Sequence, residues 1–227
     1  MNEKKDIKRY LILTGGTVNE VCLRSYLEQN KVEKIICVDG ALKIADAMKL
    51  DIDYLVGDFD TVSEDLLNKY RQSVNMGEKQ IVIREFDPVK DATDTHIAIL
   101  TAIEEEADEI LLFGATGTRM DHTLANIHLL LQPLSLGIRA CILDEYNKIY
   151  LINKNTVIRK EELYGPYFSL IPFGGDVTGV TLKGFKYDVS QLDFKKGDSL
   201  GISNELIEDE GMISFKTGIF AVFEAKD

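Results

Sequence analysis

From about residue 9 to about residue 135, short apolar runs alternate with longer amphipathic stretches, and this alternation constrains the fold more than any other feature. The runs cover residues 10–13, 34–38, 54–56, 81–83 and 110–113. They are rich in Ile, Val and Leu, and each leads into Gly, Asp or a polar turn, the pattern of parallel strands buried on both faces. Between them lie helical patterns. The clearest spans 95–106, with Ile97, Leu100 and Ile103 on one face and Glu104, Glu105 and Glu106 at its end; another spans 121–131. Alternating strands and helices predict a parallel sheet covered by helices on both sides.

The texture changes near residue 138. Runs at 138–143 and 149–152 read as strands, and short alternating runs at 168–171, 177–182, 212–215 and 219–223 follow, broken repeatedly by glycine. That spacing predicts an antiparallel sandwich. The expected fold class is therefore α/β: an N-terminal parallel-sheet α/β domain over residues 1–139, followed by a C-terminal antiparallel β-sandwich domain over 140–227.

Composition removes several function classes. The formal net charge is −12 and no Lys/Arg block stands out, whereas a nucleic-acid binder needs a basic face. No apolar run approaches the about 18 residues of a membrane span. The run at 10–13 is shorter than the about 7–15 residues of a signal-peptide core, which makes a cytoplasmic location the expectation. Cys22, Cys37 and Cys141 are scattered and form no C-x-x-C pair; they read as three buried thiols rather than a disulfide framework or zinc site.

The ends of the predicted strands carry the chemistry. Asp39 and Gly40 follow the second run, and Gly57-Asp58-Phe59-Asp60 follows the third. The loop after the fourth leads to Lys90-Asp91-Ala92-Thr93-Asp94 at a helix start, and the fifth leads through Gly114, Gly117, Arg119, Asp121 and His122 to another. Parallel strands present their C-terminal ends at one edge, where ligands bind, so Asp39, Asp58, Asp60, Asp94 and Asp121 are expected to converge. Two carboxylates about 4 Å apart repel by about 4 kcal/mol at an effective dielectric of about 20. Such a cluster therefore calls for protons or a hard cation, and an all-oxygen ligand set suits Mg²⁺. Lys90, Arg119 and two helix N-termini supply groups for phosphate, and Gly114 and Gly117 permit close backbone approach. Together they fit a nucleoside triphosphate with Mg²⁺.

Taken singly, each signal also has a plain structural reading. Asp91 and Thr93 read as helix caps, the Asp58/Asp60 pair as turn chemistry, and Gly15-Gly16 as a tight turn. His96, His122 and His128 read as ordinary helix residues. The Gly114/Gly117 loop is not a Walker A loop, because no G-K-[ST] follows.

In order and spacing, Asp39-Gly40, Gly57-Asp58-Phe59-Asp60, Lys90-Asp91-x-Thr93-Asp94 and Gly114-x-x-Gly117-x-Arg119-x-Asp121-His122 resemble the thiamine pyrophosphokinase family, and Leu200-Gly201-Ile202-Ser203-Asn204-Glu205 resembles its thiamine-side motif. The resemblance implies an ATP-binding α/β domain and a β-sandwich that makes a homodimer, with the active site at the subunit interface. It implies Ser203 and Asn204 near the thiamine pyrimidine, and transfer of the diphosphate of ATP to the thiamine hydroxyl, leaving AMP. On that basis Asp58, Asp60, Asp94 and Asp121 are assigned to Mg²⁺, and Asp94 also to the hydroxyl proton. Lys90 and Arg119 are assigned to charge on the moving diphosphate; Asp39, Gly40, Thr93, Gly114, Gly117, His122 and Asn126 are assigned to the nucleotide. The chain departs from the family pattern at Thr118, where glycine is expected, and it has no tryptophan. Phe185, Tyr187 or Phe215 would have to stack on thiamine. Two other readings compete: a phosphatase of the haloacid dehalogenase type, with Asp58 as nucleophile, and a non-catalytic nucleotide sensor.

Overall fold

The computed structural model describes residues 6–77, 80–86 and 91–227. The chain divides into two compact units, one ending at Asp144 and the other beginning at Glu145.

The first unit holds six strands: β1 (Arg9–Leu13), β2 (Lys34–Val38), β3 (Tyr54–Gly57), β4 (Val82–Glu85), β5 (Glu109–Phe113) and β6 (Arg139–Leu143). Every neighbouring pair is parallel, in the order β4-β3-β2-β1-β5-β6. The run at 138–143, placed by sequence in the second domain, is β6 and lies beside β5 in the first unit; the division falls after Asp144 rather than near residue 140. Leu11, Ile12, Leu13, Ile36, Leu55, Val56, Ile110 and Leu112 are inaccessible to solvent, as expected where helices cover both faces.

The helices are α1 (Glu20–Gln29), α2 (Leu42–Ala47), α3 (Glu64–Asn75), α4 (Asp94–Glu104), α5 (Met120–Leu129) and α6 (Leu131–Ser135). The Asn19 side chain caps α1, accepting from the N–H groups of Val21 and Cys22, and the Thr93 hydroxyl caps α4, accepting from His96 N–H at 3.2 Å. The core face of α4 differs from the one its periodicity suggested. Ala98, Ile99 and Ala102 are fully buried, while Leu100 is 40% exposed. Two alanines let this helix lie close on β1, β2 and β3, and with apolar residues on most of its sides the pattern alone could not select the inward face. Of the three thiols only Cys37 is buried; Cys22 and Cys141 are half-buried.

Strand order gives the unit its functional edge. The chain builds outward from β1 through β2, β3 and β4, then returns to the other side of β1 with β5 and β6. The reversal lies between β1 and β5, and the crevice beyond their C-terminal ends is where ligands bind in open α/β sheets.

The second unit is two antiparallel sheets. One contains β7 (Asn147–Ile152), β9 (Tyr167–Pro172), β12 (Asn204–Glu205) and β14 (Phe220–Ala225), ordered β12-β9-β14-β7. The other contains β8 (Thr156–Arg159), β10 (Val177–Lys183), β11 (Val189–Phe194) and β13 (Glu210–Ser214), ordered β11-β10-β13-β8. Phe168, Leu170, Phe220 and Val222 from the first sheet meet Val180, Leu182, Phe194 and Ile213 from the second in one core. Glu224 is a buried carboxylate in this unit. It accepts from Tyr164 N–H at 2.7 Å, Tyr150 OH at 2.9 Å and Lys148 Nζ at 3.3 Å.

Candidate active site

A cleft of about 630 Å³ opens at the C-terminal edge of the parallel sheet. Thr14, Gly15 and Gly16 after β1, Asp39 and Gly40 after β2, Thr61 after β3, Thr93 and Asp94 at the start of α4, and the stretch from Gly114 to Arg119 after β5 line it, with His122 and Asn126 from α5. The turns after β1 and β5 are fastened together. Gly16 N–H donates to Gly114 O at 2.8 Å, and Thr17 N–H to Thr116 O at 2.8 Å. Gly114 has φ +72°, and a Cβ there would lie 2.1 Å from Thr14 O, so glycine is the residue that lets these turns touch.

Asp39, Asp58 and Asp60 form an acidic group in which one carboxylate oxygen from each lies within 4.8 Å of the others. Local backbone geometry explains the convergence. Asp39 has φ +42° and Phe59 has φ +61°. The Phe59 ring is buried, at 4% exposure, and anchors the turn from which Asp58 and Asp60 project on either side. The Asp60 N–H donates to Asp58 Oδ1 at 3.3 Å, and the Thr61 hydroxyl donates to Asp39 Oδ2 at 2.5 Å. A Cβ at Gly57 would stand 3.0 Å from Asp39 Cβ, so the glycine makes room for that carboxylate.

The electrostatics follow from this crowding. Asp60's carboxyl is held above the ordinary carboxylate range, chiefly by the charge of Asp58, then by lost hydration, then by Asp39; Asp94 adds to the same effect. Asp39 Oδ1 is buried and has no hydrogen-bond partner among the described residues. A buried, unpartnered carboxylate oxygen beside two more carboxylates is an unfavourable arrangement unless a cation neutralises it. The donor set is all oxygen, so it fits Mg²⁺.

The sequence-predicted residues fall into distinct groups. Asp94 lines the cleft, and its charge is felt at Asp60. Asp121 stands outside the acidic group. It pairs with Arg119, whose Nη2 and Nε reach its two oxygens at 2.5 and 3.2 Å. The Arg119 hydrogen bond pulls the Asp121 carboxyl down to about 2. Asn126 is buried and spends its side-chain N–H on Ala115 O at 2.8 Å, which fixes the turn after β5. Lys90 lies outside the described residues. Sequence reasoning passed over Thr14, Lys43 and Thr61, which also line the cleft; the position of each after a strand or at a helix start was the available signal.

In the second unit, Ser203 is exposed with φ +54°, and its N–H donates to Ser169 Oγ at 2.9 Å. The Asn204 amide is committed to the chain: Oδ1 accepts from Tyr187 N–H at 3.0 Å and Nδ2 donates to Tyr187 O at 3.0 Å. Of the aromatic candidates, Phe185 is 2% exposed and packs on Phe168 at 5.2 Å between ring centroids, so it offers no face to a ligand. Phe215 is half-buried against Phe220, and Tyr187 is 60% exposed.

Among the described residues no helix is long and apolar enough to cross a membrane. Residues 25–142 match the family described as thiamin pyrophosphokinase, catalytic domain, and residues 154–220 match thiamin pyrophosphokinase, vitamin B1 binding domain. The thiamine pyrophosphokinase of Bacillus subtilis (strain 168) is 31% identical over 97% of this chain and 100% of its own length. A crystal structure of thiamine pyrophosphokinase from Bacillus subtilis matches with a TM-score of 0.85 at 29% identity, covering 97% of this chain and 100% of that one. One from Geobacillus thermodenitrificans matches with a TM-score of 0.82 at 29% identity, covering 96% and 98%. With both of its units matched and nearly its whole length aligned, the chain belongs to the thiamine pyrophosphokinase family.

Proposed function

We propose that this chain transfers the diphosphate of ATP to the hydroxyl of thiamine, giving thiamine diphosphate and AMP, and that it does so with Mg²⁺ held at the sheet edge by Asp39, Asp58 and Asp60. The observation that carries the metal assignment is the buried Oδ1 of Asp39, unpartnered among the described residues, beside two further carboxylates. When bound, Mg²⁺ neutralises charge on the polyphosphate.

The remaining work falls to the chain's own groups. Asp94, on the cleft wall, orients the thiamine hydroxyl and accepts its proton as the oxygen attacks the β-phosphorus. Arg119 faces the moving diphosphate, its guanidinium held by Asp121, and stabilises the charge on it. Transfers of this kind depend mainly on alignment and charge neutralisation. The second unit would supply the thiamine side through Ser203 and the Asn204 clip on Tyr187, and would make a homodimer. The acidic rim favours approach of cationic thiamine. The chain works in the cytoplasm on this reading.

The phosphatase alternative expects its nucleophile motif after the first strand, whereas Asp58 follows β3; family membership points away from it as well. The test is to incubate the protein with ATP, Mg²⁺ and thiamine and identify the products. AMP that appears only when thiamine is present supports diphosphate transfer; ADP, or a phosphoenzyme trapped on Asp58, overturns it.

A further inference from the structure

Two threonines at the cleft, Thr14 and Thr95, carry a hydrogen-bonding capacity that the roles above do not use. Thr14 follows β1, and its N–H donates to Phe113 O at 2.9 Å, which locks it to the end of β5. Thr95 lies in the first turn of α4, beyond the Thr93 cap. Their hydroxyl oxygens are 2.9 Å apart, the residues are only 6% and 7% exposed, and both line the cleft.

A hydroxyl pair has two protons and needs only one for its mutual bond. Either threonine can be the donor in that bond. Whichever it is, the other hydroxyl retains a proton, and no second acceptor for either group occurs among the described residues. A donor so deeply buried is costly unless something accepts from it. The group it can reach is what enters the cleft. The surroundings select an anionic acceptor. The first turn of α4 presents backbone N–H groups that no intrahelical carbonyl can satisfy, and its dipole favours negative charge. Gly15 and Gly16 border the same floor without side chains.

We infer that the Thr14–Thr95 pair donates a hydrogen bond to a phosphoryl oxygen of the bound nucleotide. This rests on the nucleotide reading of the cleft given above. The pair is then a phosphate contact at the reversal point of the sheet, separate from the carboxylates that would hold the metal.

The test measures binding of a non-hydrolysable ATP analogue and of inorganic tripolyphosphate, each with Mg²⁺ and without thiamine. The decisive variant is Thr14→Val/Thr95→Val, which replaces both hydroxyls by isosteric methyls and leaves no orphaned partner. The expected result is that both ligands bind about tenfold more weakly, as for loss of a hydrogen bond to a charged group, while the melting temperature stays close to that of the wild type. Thr95→Ser, which keeps a hydroxyl, should recover most of the affinity. Unchanged tripolyphosphate binding overturns the inference, even where the ATP analogue binds more weakly. If the double variant does not fold, the single Val variants decide: at least one must lose affinity for tripolyphosphate, and wild-type affinity in both rejects the contact. Failure of the underlying reading is distinguishable, because it would appear in the wild type as an absence of thiamine-dependent AMP.

Discussion

The Thr61 hydroxyl donates to Oδ2 of Asp39 at 2.5 Å, while Oδ1 of the same carboxylate is buried without a partner among the described residues. One oxygen is held by the turn after β3, and the other is the one that the proposed metal site would use. Thr61→Val removes the tether and keeps the shape. The half-saturating Mg²⁺ concentration for turnover should rise severalfold, as expected for one lost hydrogen bond of about 1 kcal/mol. Asp39→Asn should abolish Mg²⁺-dependent turnover with the fold intact by circular dichroism. A Thr61→Val enzyme with an unchanged Mg²⁺ titration would remove Thr61 from the account.

Asp60 sets a pH dependence whose sign can be worked out. Its carboxyl is raised, first by Asp58, so the folded chain takes up this proton more readily than the unfolded one. Stability linked to Asp60 is therefore greatest below its folded pKa and declines as pH rises through it. Without Mg²⁺, Asp60→Asn should melt above the wild type at about pH 7.5, and the gap should close as pH falls below the ordinary aspartate value of about 3.9. Saturating Mg²⁺ should reverse the order. Matched melting curves at both pH values would contradict the electrostatic picture of the rim.

Arg119 spans both oxygens of Asp121, and lysine cannot reproduce that fork. Arg119→Lys should lower kcat by about tenfold, and Arg119→Ala by more, consistent with loss of a charged group facing the transferred diphosphate. AMP should remain the product in both. The melting temperature should barely move, because the pair is about two-thirds exposed and such pairs contribute little to stability.

The aromatic candidates of the second unit separate cleanly. Phe185→Ala removes a buried ring packed on Phe168 and should cost about 3–5 kcal/mol of stability. Tyr187→Ala, at an exposed position, should change stability by less than about 0.5 kcal/mol yet raise the KM for thiamine and leave that for ATP alone. Denaturant melts with steady-state kinetics on both variants check this. A Tyr187→Ala enzyme with an unaltered thiamine KM would direct the search to Phe215.

Glu224 is a buried charged side chain of the sandwich. Its carboxylate is 3% exposed and accepts from Lys148, Tyr150 and the Tyr164 N–H. Lys148→Met removes its cationic partner and should destabilise the protein by about 3–5 kcal/mol. Adding Glu224→Leu should recover part of the loss. A chemical denaturation series on the single and double variants measures the coupling.

Much of the first unit was legible in the sequence because parallel strands buried on both faces leave uninterrupted apolar runs, as at Ile36 and Val56. The acidic residues after β2 and β3 could be connected because parallel strands end at one edge. Asp121 looked equivalent, but Arg119 lies two residues away and captures it, a local pairing that strand-end logic cannot foresee. The inward face of α4 was hidden by having apolar residues nearly all round. In the second unit β11 escaped notice because residues 190–193 are all exposed, which erases the alternation that marks a half-buried strand. Whether Phe185 or Tyr187 faces outward depends on how the chain turns after Gly184, and that is a matter of backbone conformation rather than composition.

Gly57 bears no functional group, yet its missing methyl sets where a ligand atom can sit. A side chain there would press on Cβ of Asp39 at 3.0 Å and push the carboxylate out of register with Asp58 and Asp60. On the proposed metal reading, a substitution at Gly57 would thus present as a chelation defect caused by a residue that has no chemistry of its own.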